Sequence, residues 1–235
     1  MITTEIILFV LLAYVTGAFP SAVWVGKTFY KTDVREYGSG NAGATNTFRV
    51  LGKGAGIPVL FMDIFKGWLA VYYVHFISNV TELSPELFFE NQLAFGIAAV
   101  IGHLFPVYTG FRGGKGIATM MGLLIGLNPW AALFSFGVFV VVFLISKYVS
   151  LGSIIASIAF PFFVMIVLNS TNESLNLFAI FVPILSLITH QKNIERLIRG
   201  EETKVIFVKN KNDENKNNHA GRLFGLGRNR IQSSR

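Results

Sequence analysis

The chain has 235 residues, of which 52% are hydrophobic and 14% charged, with 23 Phe and no Cys. Soluble domains are about a quarter charged, so this composition excludes a water-facing globule, a disulfide framework and thiolate chemistry, and indicates a polytopic membrane protein. The net charge is +7, and +6 of it lies after residue 191, where 11 Lys/Arg accompany 5 Asp/Glu.

Residues 6–26 are uncharged and long enough to cross about 30 Å of hydrocarbon. Only Glu5 precedes them, the opposite of a basic signal-peptide n-region, so they read as a retained first helix. Spans are expected at about 5–26, 56–77, 91–108, 116–128, 129–146, 150–169 and 174–190. Between Lys115 and Lys147 lie 31 uncharged residues, which form either one long span or two short ones broken at Asn128–Pro129. Pro129 suits the first turn of a new helix, and a residue before proline avoids the α region.

Charge decides between these. With seven spans and the N-terminus outside, Lys27, Lys31, Arg35, Arg49, Lys53, Arg112, Lys115, Lys147 and the basic tail share one side, 19 of the 20 Lys/Arg. The other side receives only Glu5, Glu82, Glu86, Glu90 and Glu173. The positive-inside rule therefore favours an all-α protein of seven transmembrane helices, N-terminus outside and C-terminus cytoplasmic. Helices four and five would each be about 15 residues and about 23 Å long, accommodated by local thinning or burial in the bundle.

Three polar stretches map to the cytoplasmic face. The loop at about 27–55 contains "YGSGNAGATNTFRVLGKGAG". Its "GSGNAG" matches the dinucleotide pattern G-x-G-x-x-G but lacks a strand before it and an α/β unit around it. The second stretch, "GHLFPVYTGFRGGKG" at 102–116, departs from a P-loop because Gly116 follows the lysine and Thr109 stands at the first Gly. The third, "HQKNIERLIRGEETK" at 190–204, leaves the last span and turns amphipathic. "SLGS" at 150–153 enters the same face beside Lys147. Glycines that let N–H groups converge, with Arg or Lys to complete the charge, make an anion site. Taken singly, Arg112 or Lys115 reads as a topology signal or headgroup contact. It is the density of polar residues, twelve positions at 38–49 without a Val, Leu or Ile, that argues for a site. Asp63 and Lys66, at i and i+3, read as a neutralising structural pair within the second span.

"SGNAGATNTFRVLG", "GHLFPVYTGFRGGKGIAT" and "HQKNIERLIRGEE" resemble the three signature motifs of the bacterial acyl-phosphate:glycerol-3-phosphate acyltransferases, as do "GAFPSAVWVGK" and "MDIFKG". The resemblance runs in order along about residues 1–204, the expected membrane domain. The remainder, 205–235, is an Asn- and Lys-rich tail expected to be disordered, with some affinity for anionic lipid. Two departures are Ala42, where proline is common, and Gln191–Lys192 in place of Arg-Glu.

The resemblance implies a multi-pass enzyme of the bacterial inner membrane with its active site facing the cytoplasm. It would transfer a fatty acyl group from acyl phosphate to the 1-hydroxyl of sn-glycerol 3-phosphate, giving lysophosphatidic acid and phosphate, the first step of phospholipid synthesis. It implies catalytic roles for Arg49, Lys115, His190 and Asn193, and substrate contacts from Ser39, Gly40, Asn41, Gly43, His103, Arg112, Gly113, Gly114 and Ser153. No cofactor, metal or nucleic-acid partner is expected; membrane lipids and an upstream phosphate acyltransferase are the partners implied. An acyl phosphate carries its own leaving group, so positioning and charge stabilisation suffice without a covalent intermediate. The general base is left open between His190, His103 and a substrate phosphate. Nor does the His-x4-Asp pair of thioester-dependent acyltransferases occur, since Tyr108 and Glu195 stand five residues after His103 and His190. The competing class is a transporter or channel for a small phosphorylated anion, which would place polar or broken segments at mid-bilayer.

Overall fold

The structure, a computed structural model, describes residues 3–205. The expected disordered basic tail, 205–235, lies outside the described residues except for Val205. All regular elements among the described residues are helical. The α-helices are α1 (Thr4–Ala18), α2 (Ser21–Tyr30), α3 (Ala44–Leu51), α4 (Lys53–Tyr72), α5 (Pro85–Leu104), α6 (Ile117–Leu127), α7 (Pro129–Ser146), α8 (Val149–Phe162), α9 (Glu173–Thr189) and α10 (Gln191–Ile198). A π-helical turn, Phe163–Val167, extends α8 just after Pro161.

Among the described residues, four stretches are long and apolar enough to cross a bilayer: Lys53–Phe76, Pro85–Thr109, Pro129–Ser146 and Val149–Val167. Two bent pairs, α1 with α2 at 42° and α9 with α10 at 64°, raise the number to six if each is one span. Helix α6 is apolar but has only 11 residues, about 17 Å of helix.

Three features differ from expectation. The first span is broken at Phe19–Pro20, because proline offers no N–H and holds the residue before it out of the α region. The carbonyl of Phe19 instead accepts from Lys66 Nζ at 3.0 Å. The loop at 27–55 is largely helical, since α2 runs to Tyr30, α3 lies within it and α4 begins at Lys53. Helices α6 and α7 are unequal, at 11 and 18 residues. The break between them falls at Asn128–Pro129 as expected, with the Asn128 side chain accepting from Ala131 N at 3.0 Å and proline in the first turn.

Small residues let the spans approach closely, as helices in lipid require. A Cβ added to Gly67 on α4 would stand 2.0 Å from the carbonyl oxygen of Thr119, and one on Gly122 of α6 would stand 1.8 Å from that of Ile64. This pairing seats α6 against α4 and thereby fixes the loop that precedes α6. Val71, Val100, Leu123, Leu124, Phe160 and Val182 close the main apolar core around it. Gly67→Val or Gly122→Val forces the two backbones apart. Each is expected to lower the melting temperature of the detergent-solubilised protein, by about 1–3 kcal/mol of overpacking or more, with Gly137→Ala as the tolerated control because a Cβ there meets nothing within 4 Å.

Candidate functional site

The first polar stretch is organised by one buried side chain. Asn46, 2% exposed on α3, donates through Nδ2 to the carbonyls of Val34 (2.7 Å), Tyr37 (3.1 Å) and Asn41 (3.0 Å). Its Oδ1 accepts from the backbone N–H of Ser39 at 2.9 Å. The segment makes few backbone bonds of its own, a 3-10 turn at Val34–Glu36 and the bonds from Tyr37 N to Val34 and from Gly40 N to Tyr37, and this one carboxamide ties those turns to Ser39 and Asn41. Gly38 and Gly40 take φ of 63° and 71°, which a side chain would resist. Ser39, Gly40 and Arg49 face outward, Asn41 is half-buried, and Gly43 precedes the first residue of α3.

A second brace joins this loop to the next. Asp33 accepts from Arg35 Nε (3.0 Å) and Nη2 (2.8 Å) and lies 3.2 Å from Lys27 Nζ. The Arg35 guanidinium holds the Asp33 carboxyl well below the usual carboxylate range, and its own pKa is raised in return. Arg35 Nη1 donates onward to the carbonyl of Thr109 at 3.2 Å.

In the second stretch, Phe111 N donates to the carbonyl of Pro106 at 2.9 Å, and Gly114 N donates to that of His103 at 3.1 Å. Both glycines are needed for contact with His103. A Cβ on Gly113 would stand 2.0 Å from the His103 carbonyl oxygen, and one on Gly114 would stand 2.0 Å from His103 Nε2. His103 itself is buried at the end of α5, while Arg112 is exposed. The fold of this loop delivers Lys115, whose Nζ donates to Asn193 Oδ1 on α10.

Asn193 also donates through Nδ2 to Glu202 Oε1 at 2.7 Å. Glu202 is buried, and its carboxylate further accepts from Ser150 Oγ at 2.8 Å and Arg196 Nε at 2.7 Å. Burial pushes the Glu202 carboxyl up, but the hydrogen bonds from Arg196, Asn193 and Ser150 outweigh it, and its pKa lies below the ordinary value. Burial dominates at Lys115. It lowers the ammonium pKa to about 8, with Glu202 opposing and Arg196 and Arg49 contributing. Arg49 of the first stretch is thus within electrostatic reach of Lys115.

His190, 2% exposed, ends α9 one residue before α10, with Nδ1 2.9 Å from the carbonyl oxygen of Ser186. A carbonyl can only accept, so Nδ1 carries the proton and Nε2 is left as the acceptor. Ser153 is buried and donates to the carbonyl of Val149 at 2.9 Å within its own helix.

Of the residues expected from sequence, Lys115 and Asn193 are in direct contact, and His190 and Arg49 lie within electrostatic reach of Lys115. The bonds of Ser39 and Asn41 run to Asn46, that of Ser153 to Val149 and that of the Arg112 carbonyl to Thr109. Sequence reasoning assigned no role to Asn46, Ser150 or Glu202. Asn46 lay inside a quoted motif, and Glu202 lies in "RGEE", where a carboxylate among cations was the only signal.

A helical bundle with apolar spans is the architecture of an integral membrane protein, and the cations its loops gather beside a histidine have the chemistry to attract an anion. The glycerol-3-phosphate acyltransferase family model matches residues 7–200. Glycerol-3-phosphate acyltransferases of Staphylococcus saprophyticus and Staphylococcus aureus strain Newman are each 44% identical over 203 residues, 86% of this chain and 99% of the relative. The crystal structure of PlsY (YgiH), an integral membrane glycerol 3-phosphate acyltransferase, in its glycerol 3-phosphate form has a TM-score of 0.72 and 35% identity over 86% of this chain and 96% of that one. Its lysophosphatidic acid form matches equally, over 95% of that chain. The chain belongs to the glycerol-3-phosphate acyltransferase family, as its motifs suggested.

Two outcomes follow from the geometry. Asn46→Asp removes the donors that hold Val34, Tyr37 and Asn41 while keeping the acceptor for Ser39, and is expected to open residues 34–41 to limited proteolysis and to cost about 1–3 kcal/mol for the stranded buried groups. A lysine side chain attracts an anion only in its protonated form, and that of Lys115 has its pKa lowered to about 8. Raising pH through about 8 therefore removes the charge and weakens binding, whereas lowering pH below 8 leaves it charged. The kcat/KM for glycerol 3-phosphate, which reports the free enzyme, is expected to fall on that alkaline limb, and Lys115→Arg to abolish the limb while lowering the plateau.

Proposed function

We propose that this chain transfers a fatty acyl group from acyl phosphate to the 1-hydroxyl of sn-glycerol 3-phosphate, releasing lysophosphatidic acid and inorganic phosphate. The observation that carries this reading is the Lys115–Asn193 contact, which joins the second and third motifs, with Arg49 of the first within reach. Arg49 grips a phosphate with its planar fork, and Lys115 acts as a point charge on the same or the second phosphate. Asn193 orients the ammonium. His190, with Nδ1 committed to Ser186, offers Nε2 to the substrate hydroxyl. Ser39, Asn41, Arg112 and Ser153, with the backbone at Gly40, Gly43, Gly113 and Gly114, complete the polar wall. Acyl phosphate needs no activation by a thiol, and cations that neutralise the departing phosphate match its chemistry better than they match a thioester.

We also read the chain as crossing the bacterial inner membrane seven times, N-terminus outside, with the site facing the cytoplasm. Four straight spans, two bent ones and the short α6 add to seven, and the loops carrying Lys27, Lys31, Arg35, Arg49, Lys53, Arg112, Lys115 and Lys147 then share the positive side.

Purified protein in detergent or lipid, supplied with acyl phosphate and glycerol 3-phosphate, is expected to yield lysophosphatidic acid and phosphate in equal amounts, and none when acyl-coenzyme A replaces the donor. Arg49→Ala and Lys115→Ala are expected to reduce kcat/KM by about 10²-fold or more, the scale of a lost charge-assisted contact in the transition state. A folded wild-type protein that makes no product sinks the reading; full activity in either variant sinks the site.

A further inference from the structure

Asp63 and Lys66 lie inside α4, 1% and 5% exposed, with Lys66 Nζ 2.9 Å from Asp63 Oδ1. A buried ion pair is often no more stabilising than well-packed apolar residues of similar volume, so neutralisation alone is a weak reason for its presence. Its surroundings give a stronger one. Asp63 Oδ1 accepts from Ser21 Oγ at 2.9 Å, where α2 begins, and lies 3.6 Å from His103 Nδ1 at the end of α5. Lys66 donates onward to the Phe19 carbonyl at the break between α1 and α2. Three helices, α2, α4 and α5, therefore meet around one carboxylate, and Lys66 ties the end of α1 to it. The far side of the His103 ring lies against Gly114, and the His103 carbonyl accepts from Gly114 N. The next residue is Lys115. Ser21, Lys66, His103, Pro106, Gly113 and Gly114 line a small cleft at this junction.

We propose that Asp63 is a positioning residue for acyltransfer: by holding the His103 imidazole from its Nδ1 side, it sets the surface on which the Gly113–Gly114 turn rests and so places Lys115 against Asn193. Asp63 touches no substrate; Ser21 and Lys66 hold it in place, and its effect passes through His103. The inference rests on the acyltransferase reading given above.

The test compares wild type, Asp63→Asn/Lys66→Met, His103→Gln and the combined triple variant in one detergent, by melting temperature and steady-state kinetics. The paired substitution keeps the span free of a lone charge, which a single change would leave buried at high cost. The paired variant and His103→Gln are each expected to stay folded and to raise KM for glycerol 3-phosphate about tenfold, with a smaller fall in kcat. Because both act through one contact, the triple variant is expected to be no worse than the more severe of the two. A purely structural pair predicts fewer folded molecules with unchanged KM, and that result, or additive losses in the triple variant, overturns the proposal. Should the paired variant not fold, His103→Gln alone decides: an unchanged KM overturns the proposal and a raised KM supports it. No turnover in folded wild type overturns the acyltransferase reading and the proposal with it, whereas normal turnover with unmoved variants overturns the proposal alone.

Discussion

The site depends on how the charge of Lys115 is compensated without being cancelled. A desolvated ammonium is costly, and the simplest remedy, a carboxylate in direct contact, would occupy the cation that an incoming phosphate needs. Here the carboxylate is reached through a neutral spacer. Asn193 accepts from Lys115 with Oδ1 and donates to Glu202 with Nδ2. Glu202 is in turn saturated by Ser150 and Arg196. The negative charge thus lies close enough to support the ammonium, as its opposing influence on the Lys115 pKa indicates, while the ammonium keeps donors for a ligand. A carboxamide suits this position because it alone among the uncharged side chains offers both an acceptor and a two-hydrogen donor across a fixed plane.

That network draws on widely separated parts of the chain, so the helices must hold its pieces in register. The second motif is confined between the end of α5 and the start of α6. Helix α6 cannot drift because its Gly122 meets the α4 backbone and Gly67 of α4 meets Thr119. Loop residues that would otherwise be free are tied by Asn46 and by the Asp33–Arg35–Thr109 brace. Glu202 arrives from beyond α10 on a segment that returns to the start of α8, where Val205 N donates to the carbonyl of Lys147 at 2.9 Å. The polar face is therefore built as a rigid rim on closely packed spans, which is what a preorganised charge site requires.

Much of this was legible in the sequence, for physical reasons that can be named. Hydropathy marked the apolar helices because about 20 apolar residues are needed to cross a bilayer, and Asn128–Pro129 announced a helix boundary through its capping chemistry. The density of polar residues in loops between apolar spans argued for a site, and the resemblance of the motifs singled out Arg49, Lys115, His190 and Asn193 within it. The break at Phe19–Pro20 was hidden within an unbroken apolar run, where proline is tolerated if other groups satisfy the backbone. One of those that do, Lys66 at the Phe19 carbonyl, comes from a different helix, and no spacing in the sequence links positions 19 and 66. Asn46, Ser150 and Glu202 escaped assignment for the same reason. Each is ordinary in its local context, and its role exists only through partners brought close by the fold.

The two buried carboxylates among the described residues show how location changes the use of one chemistry. Glu202 lies at the rim, where three donors fill it and its partner cation stays available to a ligand. Asp63 lies within a span, and its partner Lys66 is committed twice over, to the carboxylate and to the Phe19 carbonyl. Lys66 is therefore poorly placed to bind a phosphate, although it lines a cleft beside the same loop. The distinction between a binding cation and a bracing one is thus a matter of remaining donor capacity rather than charge. It follows that counting cations overstates the anion affinity of a membrane site: the deeper a cation lies, the more of its hydrogen-bonding capacity the protein must use to keep it charged, and the cations best placed to receive substrate are those at the edge of the span.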